Sequence, residues 1–473
     1  MKTWLLRLIK TQTTVSWIIY LLIFLYFLSL SKLISSEDRV NHSQLITWYL
    51  LISFSFLGIC ITRKNLSKNL IVSIAILSQL ICFFYLPNLS TDYYRFLWDG
   101  ELLNSGINPY DFTPNEYALN APGMSDYMKS LHQGMGRLSA SNYSCYPTIN
   151  QLYFYLSTIA TDTISSSVFV MRSLIFLTQL IGGWACLKIL ELLNKNPEKV
   201  LYLFLNPLLV IECSANLHFE GVMLSFILLS IYFMMKTKTF LANSFFALAI
   251  HIKLIPLLIY GCFLKLMSLK NVFRSALTLI ATTALLFIPL VSQENISNFF
   301  QSLQLYFSTF EFNSFIILPL SEFVYLLGLL LGDNWIIPIF GERAMYWNPV
   351  TFLSPLFGLI ILIICIRLFS KQKKWNWDSF FETSVLLFLT YYLLSATVHP
   401  WYLIIPLGLS IFSNNIIPLV WSVTILISYG LYDESGSFQK MVIWTVQYLP
   451  IILLLKYRDK LESFFKVVKG RLL

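Results

Sequence analysis

Residues 15–34 read VSWIIYLLIFLYFLSLSKLI, an apolar run with a single charged residue, Lys32, near its end. An α-helix rises about 1.5 Å per residue, so about 20 residues cross a hydrocarbon core of about 30 Å. Runs 44–62 and 69–87 have the same character. Lipid offers the backbone no hydrogen-bond partner, and the short alternation of a barrel strand is not evident in these runs. They therefore predict membrane-spanning helices.

The composition of the whole chain agrees with this prediction. Hydrophobic residues make up 57% of the 473 residues and charged residues 12%, and the mean hydropathy is +0.68. Soluble domains have roughly 45–50% apolar and about 25% charged residues. The interior of a soluble fold could not hide so much apolar surface. We therefore expect an all-α polytopic membrane protein.

The basic residues predict the orientation of the chain and argue against nucleic acid as a partner. The formal net charge is +9, but Lys and Arg lie mostly in short loops between apolar runs, as the positive-inside rule describes. Lys2, Arg7 and Lys10 precede the first run, and Arg63 and Lys64 lie between the second and third. Both sets are expected in the cytoplasm, which places residue 88 outside. The first run lacks a small-residue cleavage site and is interpreted as a retained helix.

The remaining chain is organised as one integral membrane domain, residues 1–473. Residues 88–146 are rich in Gly, Pro, Asn and Asp, and we interpret them as an exterior catalytic loop, because a connector of this length is unusual without a function. Residues 147–167 are predicted as an interfacial helix region, and residues 168–456 as a helical bundle. Altogether the pattern predicts roughly 11–14 transmembrane or half-spanning helices.

Two carboxylates and an arginine fall at the start of the loop. Residues 91–100 read TDYYRFLWDG, and residues 106–110 read GINPY. Asp92 and Asp99 are seven residues apart and share one face if the segment is helical. An ionisable group at the lipid–water boundary is costly and usually functional. The alternative is a solvated helix cap followed by turn residues.

A second polar cluster lies at the tip of a hairpin formed by the apolar runs 200–214 and 219–235. It contains Asn206-Pro207, Glu212, Asn216, His218 and Glu220. Carboxylate, amide and imidazole groups converge there, although a plain polar tip in the headgroup zone would look the same. His218 and Glu220 alone are weak evidence for zinc, since such sites need three or four ligands.

Two further motifs contain histidine. His251 and Lys253 lie inside a long apolar stretch, and a charge at the bilayer centre costs at least about 2.5–3.5 kcal/mol. Lys253 therefore needs a partner, such as a lipid-linked phosphate, unless it snorkels to the interface. His399 is followed by Trp401 and Tyr402 at the end of a span. These aromatic residues form either an ordinary interfacial belt or part of a binding site.

Taken in order, these four motifs resemble the polytopic GT-C superfamily of glycosyltransferases, and in particular the bacterial mannosyltransferases that use polyprenyl-phosphate-mannose. The resemblance extends over roughly residues 88–405, and the loop motif is its most specific part. The chain differs from the simplest family pattern in having three spans, rather than one, before the loop.

The resemblance implies an inverting transfer of a hexose, mannose in the first instance, from a lipid-phosphate donor on the exterior face. An aspartate at the start of the loop then acts as the base, which falls on Asp92, with Asp99 as second choice. A carboxylate takes the proton of the acceptor hydroxyl as it attacks, and the phosphate leaving group needs fixed positive charge. Arg95 and Lys253 are the candidates for binding that phosphate.

The other predicted substrate-binding residues are aromatic, amide, imidazole and carboxylate side chains of the same motifs. They are Trp98, Asn108, Tyr110, Tyr146, Glu212, Asn216, His218, Glu220, His251, His399, Trp401 and Tyr402. No metal ligand is assigned, and a divalent cation, Mg²⁺ or Mn²⁺, is neither required nor excluded. The expected acceptor is a glycan, lipid or glycoconjugate, and the expected location is the plasma membrane, with the site facing the periplasm or exterior.

Two other functions fit some of these features. Short hairpins and a buried lysine also occur in transporters, so a flippase for lipid-linked glycans is one alternative. A glycan polymerase or ligase that uses a lipid-diphosphate donor is the other.

Overall fold

The computed structural model describes residues 12–36, 42–62, 66–121, 123–288, 292–308, 310–331, 349–371, 375–432 and 436–457. Within these ranges the protein is all-α, with one isolated bridge between Phe312 and Thr397 and no β-strand. The predicted all-α polytopic fold is confirmed. The basic residues that suggested the orientation, Lys2 to Lys10 and 63–64, lie outside the described residues.

The described part contains 22 α-helices, with short 3₁₀ or π segments at several of their ends. In chain order they are α1 Gln12–Ile34, α2 His42–Thr62, α3 Lys68–Leu80, α4 Asp92–Asn104, α5 Pro114–Asn120, α6 Asp126–Gly134, α7 Gly136–Ala140, α8 Thr148–Thr158, α9 Ile164–Leu192, α10 Leu201–Phe204, α11 Pro207–Leu209, α12 Glu220–Met235, α13 Thr239–Ile250, α14 Leu257–Lys265, α15 Leu269–Phe287, α16 Gln293–Ser308, α17 Ile317–Leu331, α18 Pro349–Lys371, α19 Trp377–Leu394, α20 Ile404–Ser410, α21 Ile417–Thr424 and α22 Ser437–Lys456.

Five of these helices in the described part are long and apolar enough to cross a membrane. The apolar segments are Trp17–Ile34, Ser43–Thr62, Ile164–Leu192, Leu353–Ser370 and Ser437–Lys456. A sixth span is formed if Pro207–Ala215 and Glu220–Met235 are counted as one broken helix, bent by 111°. The described part also contains shorter apolar helical segments, namely Asn69–Phe84, Thr239–Ile250, Pro400–Ser410 and Ile417–Leu431, which have the length expected of the predicted half-spanning helices.

The loop that follows α3 is built of helices that pack closely on one another. Its first helix, α4, lies against α8 at Gly100, where an added Cβ would come within 2.4 Å of the Phe154 carbonyl oxygen. Phe96 stacks on Phe154 nearby, with ring centroids 4.8 Å apart. Glycine is therefore needed for this contact, which fixes the start of the loop against the bundle.

A buried arginine stabilises the break in the sixth span. After α11 the chain forms a π-helix, Val210–Ala215, and then turns at Leu217, which has a φ of 65°. Arg172, at 1% exposure in the middle of α9, donates to the carbonyl oxygens of Ser214, Tyr85 and Ala215 at 2.7–2.9 Å. The bonds to Ser214 and Ala215 satisfy carbonyl groups that the interrupted helix leaves without intrahelical partners, and the bond to Tyr85 ties the break to the segment after α3.

Candidate active site

A cavity of about 740 Å³ lies between the loop, the broken span and the helices α14, α16, α18 and α19. This volume is typical of pockets that bind small molecules and cofactors. Its polar centre contains Asp92, His218, Glu220, Lys253, His399, Trp401 and Tyr402. We call two further parts of its wall the apolar arm, formed by Leu254, Leu258, Phe299, Leu303, Phe357, Gly358 and Ile361, and the loop rim, formed by Gly136, Arg137, Ser139, Asn142 and Tyr143.

Asp92 is the first residue of α4 and borders this cavity. Its backbone N–H donates to the Ser90 hydroxyl at 3.2 Å, and its side chain is 34% exposed. A carboxylate in the first turn interacts favourably with the helix dipole. Its Oδ2 lies 3.7 Å from Nε2 of His218, close enough for an ion pair but beyond hydrogen-bond distance. Asp92 is thus partly desolvated and still open to a substrate.

The imidazole of His218 is fixed from several sides. Its Nδ1 lies 2.9 Å from Oε2 of Glu212, which is fully buried beneath it. The hydroxyl of Tyr429 donates to both Glu212 carboxylate oxygens at 3.0 Å. The ring of Trp401 stacks on the imidazole at 3.7 Å between centroids. The other imidazole nitrogen, Nε2, faces Asp92. Glu212 and His218 therefore act on the cavity as a hydrogen-bonded pair.

Lys253 has a protein partner as well as access to the cavity. Its Nζ donates to Oε1 of Glu220 at 3.0 Å and lies 3.8 Å from the centroid of the Tyr402 ring. Glu220 is 7% exposed and Lys253 40% exposed. A cation of this kind can bind an incoming phosphate, but only in competition with the carboxylate that already neutralises it.

Asp99 and Arg95 form a buried ion pair that stabilises the conformation of the loop. Arg95 Nε donates to Asp99 Oδ1 at 2.7 Å, while its Nη1 donates to the carbonyl oxygens of Ser139 and Asn142. Asp99 is fully buried and also accepts from Ser144 and Gln151, so it does not line the cavity. Arg95 does line it, although most of its donors are used within the protein.

Several predicted substrate-binding residues lie behind the cavity surface and do not line the cavity. Trp98 is fully buried, with its ring against Tyr117 at 5.7 Å between centroids. Asn108 caps a turn by accepting from the Tyr110 N–H, and the Tyr110 hydroxyl donates to the Tyr146 carbonyl oxygen. These contacts shape the loop that carries Tyr146, which does border the cavity.

Asn216 and His251 also support the site from outside the cavity lining. Asn216 is fully buried and accepts from the Leu89 N–H at 3.2 Å, which ties the broken span to the segment before Asp92. His251 Nδ1 lies 2.6 Å from the Thr148 hydroxyl, and its Nε2 lies 3.1 Å from the Thr283 carbonyl oxygen. It thereby anchors the turn that carries Lys253.

The late motif places three rings in the cavity wall. His399 and Trp401 stack in parallel at 4.5 Å, and Nδ1 of His399 lies 2.9 Å from the Tyr432 hydroxyl. Tyr402 meets Lys253, as described above. The stack from His399 through Trp401 to His218 therefore connects two motifs that are far apart in the sequence.

Three residues that matter for this arrangement were missed by reasoning from the sequence. Arg172 could have been found, because it is a charge in the middle of an apolar span. Tyr429 and Ser302 carry no such signal. The hydroxyl of Tyr429 donates to Glu212, more than 200 residues earlier in the chain, and the hydroxyl of Ser302 donates to the Tyr143 carbonyl oxygen. Their roles depend on tertiary contacts.

The chemistry of the site is carried by oxygen and nitrogen groups. Among the described residues there is no cluster of three or more His, Cys, Asp or Glu side chains with metal-binding geometry. Cys145 also borders the cavity, but desolvation raises the pKa of its thiol to about 11, so it is protonated at neutral pH. A thiol with a raised pKa is a poor nucleophile at neutral pH.

The fold is polytopic and helical, and a carboxylate, a hydrogen-bonded imidazole and an ammonium group surround one cavity. These features are typical of a membrane-embedded enzyme that transfers a chemical group. The chain belongs to the MptA_B family, a GT-C-type mannosyltransferase family: residues 14–269 match the profile described as "Alpha-(1->6)-mannopyranosyltransferase, N-terminal domain". The match covers more than half of the 473 residues. No curated protein matches the chain in sequence. The predicted mannosyltransferase resemblance is confirmed, and transfer of mannose is favoured over the transport alternative.

Proposed function

We propose that this protein transfers mannose from a polyprenyl-phosphate donor to a hydroxyl group of a glycan acceptor, on the exterior face of the plasma membrane. The transfer inverts the anomeric carbon. The description of the family motivates an α-(1→6) linkage, and an inverting enzyme then needs a β-linked donor. The observation that carries the proposal is the joint presence of Asp92 and Lys253 in a cavity that continues into the apolar arm.

The apolar arm supports a lipid donor. Gly358 and Ile361 belong to α18, and only 6% of the residues of its apolar segment are buried within the described part of the chain, as is expected of a helix that faces lipid. An added Cβ at Gly358 would meet nothing within 4 Å. A prenyl chain can enter beside α18 and lie along the apolar wall, since burying apolar surface is favourable at roughly 25 cal/mol per Å².

In the reaction, Asp92 accepts the proton of the acceptor hydroxyl while that oxygen attacks the anomeric carbon. The new C–O bond forms as the bond between the anomeric carbon and the phosphate oxygen breaks, and the electron pair leaves with the phosphate. Lys253 stabilises the leaving phosphate as a fixed cation. We assign the base to Asp92, because Asp99 is buried in its bonds to Arg95, Ser144 and Gln151.

The same contacts define the role that we propose for Arg95. Three of its bonds hold Asp99 and the backbone of the loop rim, so it positions the loop, and Lys253 is the principal phosphate ligand. His218 and Glu212 keep the carboxylate of Asp92 oriented.

The test is transfer of radiolabelled mannose from polyprenyl-phosphate-mannose in membranes that contain the wild type or Asp92→Asn. Loss of a general base lowers the rate by typically 10²–10⁴-fold, and protein level should not change. Asp126→Asn is the matched control, since Asp126 lies in the same loop with a 99% exposed side chain. Full activity of Asp92→Asn would refute the assignment. Activity with lipid-diphosphate donors alone would favour the polymerase or ligase alternative.

A further inference from the structure

Two pairs of acidic and basic side chains border the cavity, and they differ in the distance between their partners. Nζ of Lys253 and Oε1 of Glu220 lie 3.0 Å apart and share a hydrogen bond. Nε2 of His218 and Oδ2 of Asp92 lie 3.7 Å apart, which is beyond the range of a hydrogen bond. The space between Asp92 and His218 can therefore accommodate a contact of both groups with one atom of a bound molecule.

Nε2 of His218 is a buried polar atom that makes no hydrogen bond to any residue that the structure describes. The side chain of His218 is only 3% exposed. Buried polar atoms of folded proteins nearly all have a partner, because an unpaired one costs free energy. Since His218 and Asp92 both border the cavity, a ligand can supply that partner.

The imidazole ring of His218 is fixed with Nε2 toward Asp92. Its Nδ1 lies 2.9 Å from Oε2 of the buried Glu212, and the ring of Trp401 stacks on it at 3.7 Å between centroids. Trp401 is itself stacked on His399. An imidazole that faces a carboxylate from each nitrogen is favoured in its protonated form, which donates from both nitrogens. A donor held in place in this way loses little conformational entropy on binding.

We propose that His218 is a second catalytic residue, which binds the reacting hydroxyl of the acceptor together with Asp92. Two atoms 3.7 Å apart can both lie about 2.8 Å from one oxygen, an ordinary hydrogen-bond length. A hydroxyl group has one hydrogen and two lone pairs. The hydrogen is donated to Oδ2 of Asp92, one lone pair accepts from Nε2–H of His218, and the second lone pair is left to attack the anomeric carbon.

This role rests on the proposed function and leaves the balance of its reaction unchanged. Asp92 takes the proton of the hydroxyl while the new C–O bond forms. The bond between the anomeric carbon and the phosphate oxygen breaks, and its electron pair leaves with the phosphate. His218 keeps its proton throughout and fixes the direction of the attacking lone pair. Orientation of this kind lowers the barrier, because fewer arrangements of the bound acceptor are unproductive.

Two substitutions separate the two nitrogens of His218. The amide nitrogen of asparagine lies as many bonds from Cβ as Nδ1 does, and the amide nitrogen of glutamine lies as many bonds from Cβ as Nε2 does. His218→Asn therefore retains a donor for Glu212 and loses the donor beside Asp92, whereas His218→Gln retains a donor near the position of Nε2. If His218 only held Glu212 in place, His218→Asn would be the milder change. A bond to the acceptor predicts the reverse order.

The test measures binding in the absence of donor, with full-length protein in nanodiscs and two probes: methyl α-mannoside and its 6-deoxy analogue. The wild type should bind the mannoside about tenfold more tightly, a difference of about 1.4 kcal/mol. His218→Asn should reduce this preference severalfold, and His218→Gln should retain most of it. His132→Asn is the control, because Nε2 of His132 already contacts Asn115 and His132 lies outside the cavity lining.

Kinetics with polyprenyl-phosphate-mannose complete the test. In His218→Asn, kcat/KM for the acceptor should fall about 10- to 100-fold while the KM of the donor stays constant. A raised donor KM with an unchanged acceptor KM would assign Nε2 to a hydroxyl of the donor sugar and overturn the proposed role.

Three binding results would also overturn it: no preference in the wild type, the full preference in His218→Asn, and a smaller loss in His218→Asn than in His218→Gln. Failure of the wild type to use polyprenyl-phosphate-mannose would instead refute the proposed donor. The two failures are distinguishable, since the binding measurement contains no donor.

Discussion

Glu220→Gln is expected to tighten the binding of the lipid-phosphate product of the proposed reaction. The carboxylate of Glu220 lies 3.0 Å from the ammonium of Lys253, which in the proposed mechanism also binds the phosphate. Glutamine has nearly the same size and keeps a hydrogen-bond acceptor, but it lacks the charge. The substitution therefore leaves Lys253 with a full positive charge for the phosphate.

The magnitude follows from the burial of the two groups. Two unit charges 3.0 Å apart attract by about 5 kcal/mol at an effective dielectric constant of about 20. The side chain of Lys253 is 40% exposed, so solvent screens much of this attraction, and a net value of roughly 1–2 kcal/mol is reasonable. The phosphate should consequently bind about 5- to 30-fold more tightly in the variant.

The assay compares inhibition by polyprenyl phosphate with inhibition by the uncharged polyprenol in reconstituted membranes. We expect the inhibition constant of the phosphate to fall in Glu220→Gln and that of the polyprenol to stay constant. If product release limits turnover, kcat falls as well. An unchanged or higher inhibition constant for the phosphate would refute competition between Glu220 and the phosphate. Glu191→Gln is the control, since Glu191 pairs with Lys188 at 2.8 Å on the surface.

Three further predictions concern the scaffold and the two sides of the cavity. Arg172→Gln removes bonds to two buried carbonyl groups and to the partly buried carbonyl of Tyr85, and it should destabilise the fold by about 3 kcal/mol, seen as a lower thermal midpoint in detergent. Tyr429→Phe removes both hydroxyl contacts to Glu212 and should lower kcat about tenfold with little change in KM; an unchanged kcat would contradict the coupling. Gly358→Phe fills the apolar arm and should raise the KM of long-chain donors more than that of short-chain donors, whereas Gly436→Phe, also in open space, should have no effect.

Hydropathy predicted the helical membrane fold because each span is a local property of the sequence. The run 15–34 is apolar over its whole length, and lipid leaves a helix as the only way to satisfy its backbone. The bend of 111° after Ala215 was indicated only as a polar hairpin tip. Its geometry depends on Arg172, which lies more than forty residues earlier in the chain.

The different burial of Asp92 and Asp99 could not be predicted from the sequence. A spacing of seven predicts that both side chains lie on the same face of a helix, and both are indeed in α4. What separates them is the later segment that contributes Ser144 and Gln151, which encloses Asp99 and leaves Asp92 open. No local pattern carries that information, because it arises when the loop folds back on its own first helix.

Ion pairing with carboxylates of the broken span allows the site to hold several charges within a membrane protein. A lone charge in a poorly hydrated region is costly, so a cation that waits for a substrate phosphate must be neutralised in the meantime. Glu220 does this for Lys253, and Glu212 lies 2.9 Å from Nδ1 of His218. Both carboxylates come from the broken span: Glu212 is fully buried beneath His218, and Glu220 borders the cavity beside Lys253. In an unbroken helix they would lie eight residues, or about 12 Å, apart along one axis. The bend of 111° between them places each carboxylate beside its own partner. The break in this span therefore places paired carboxylates and basic side chains at and beneath the cavity, which is the arrangement that the proposed lipid-phosphate donor requires.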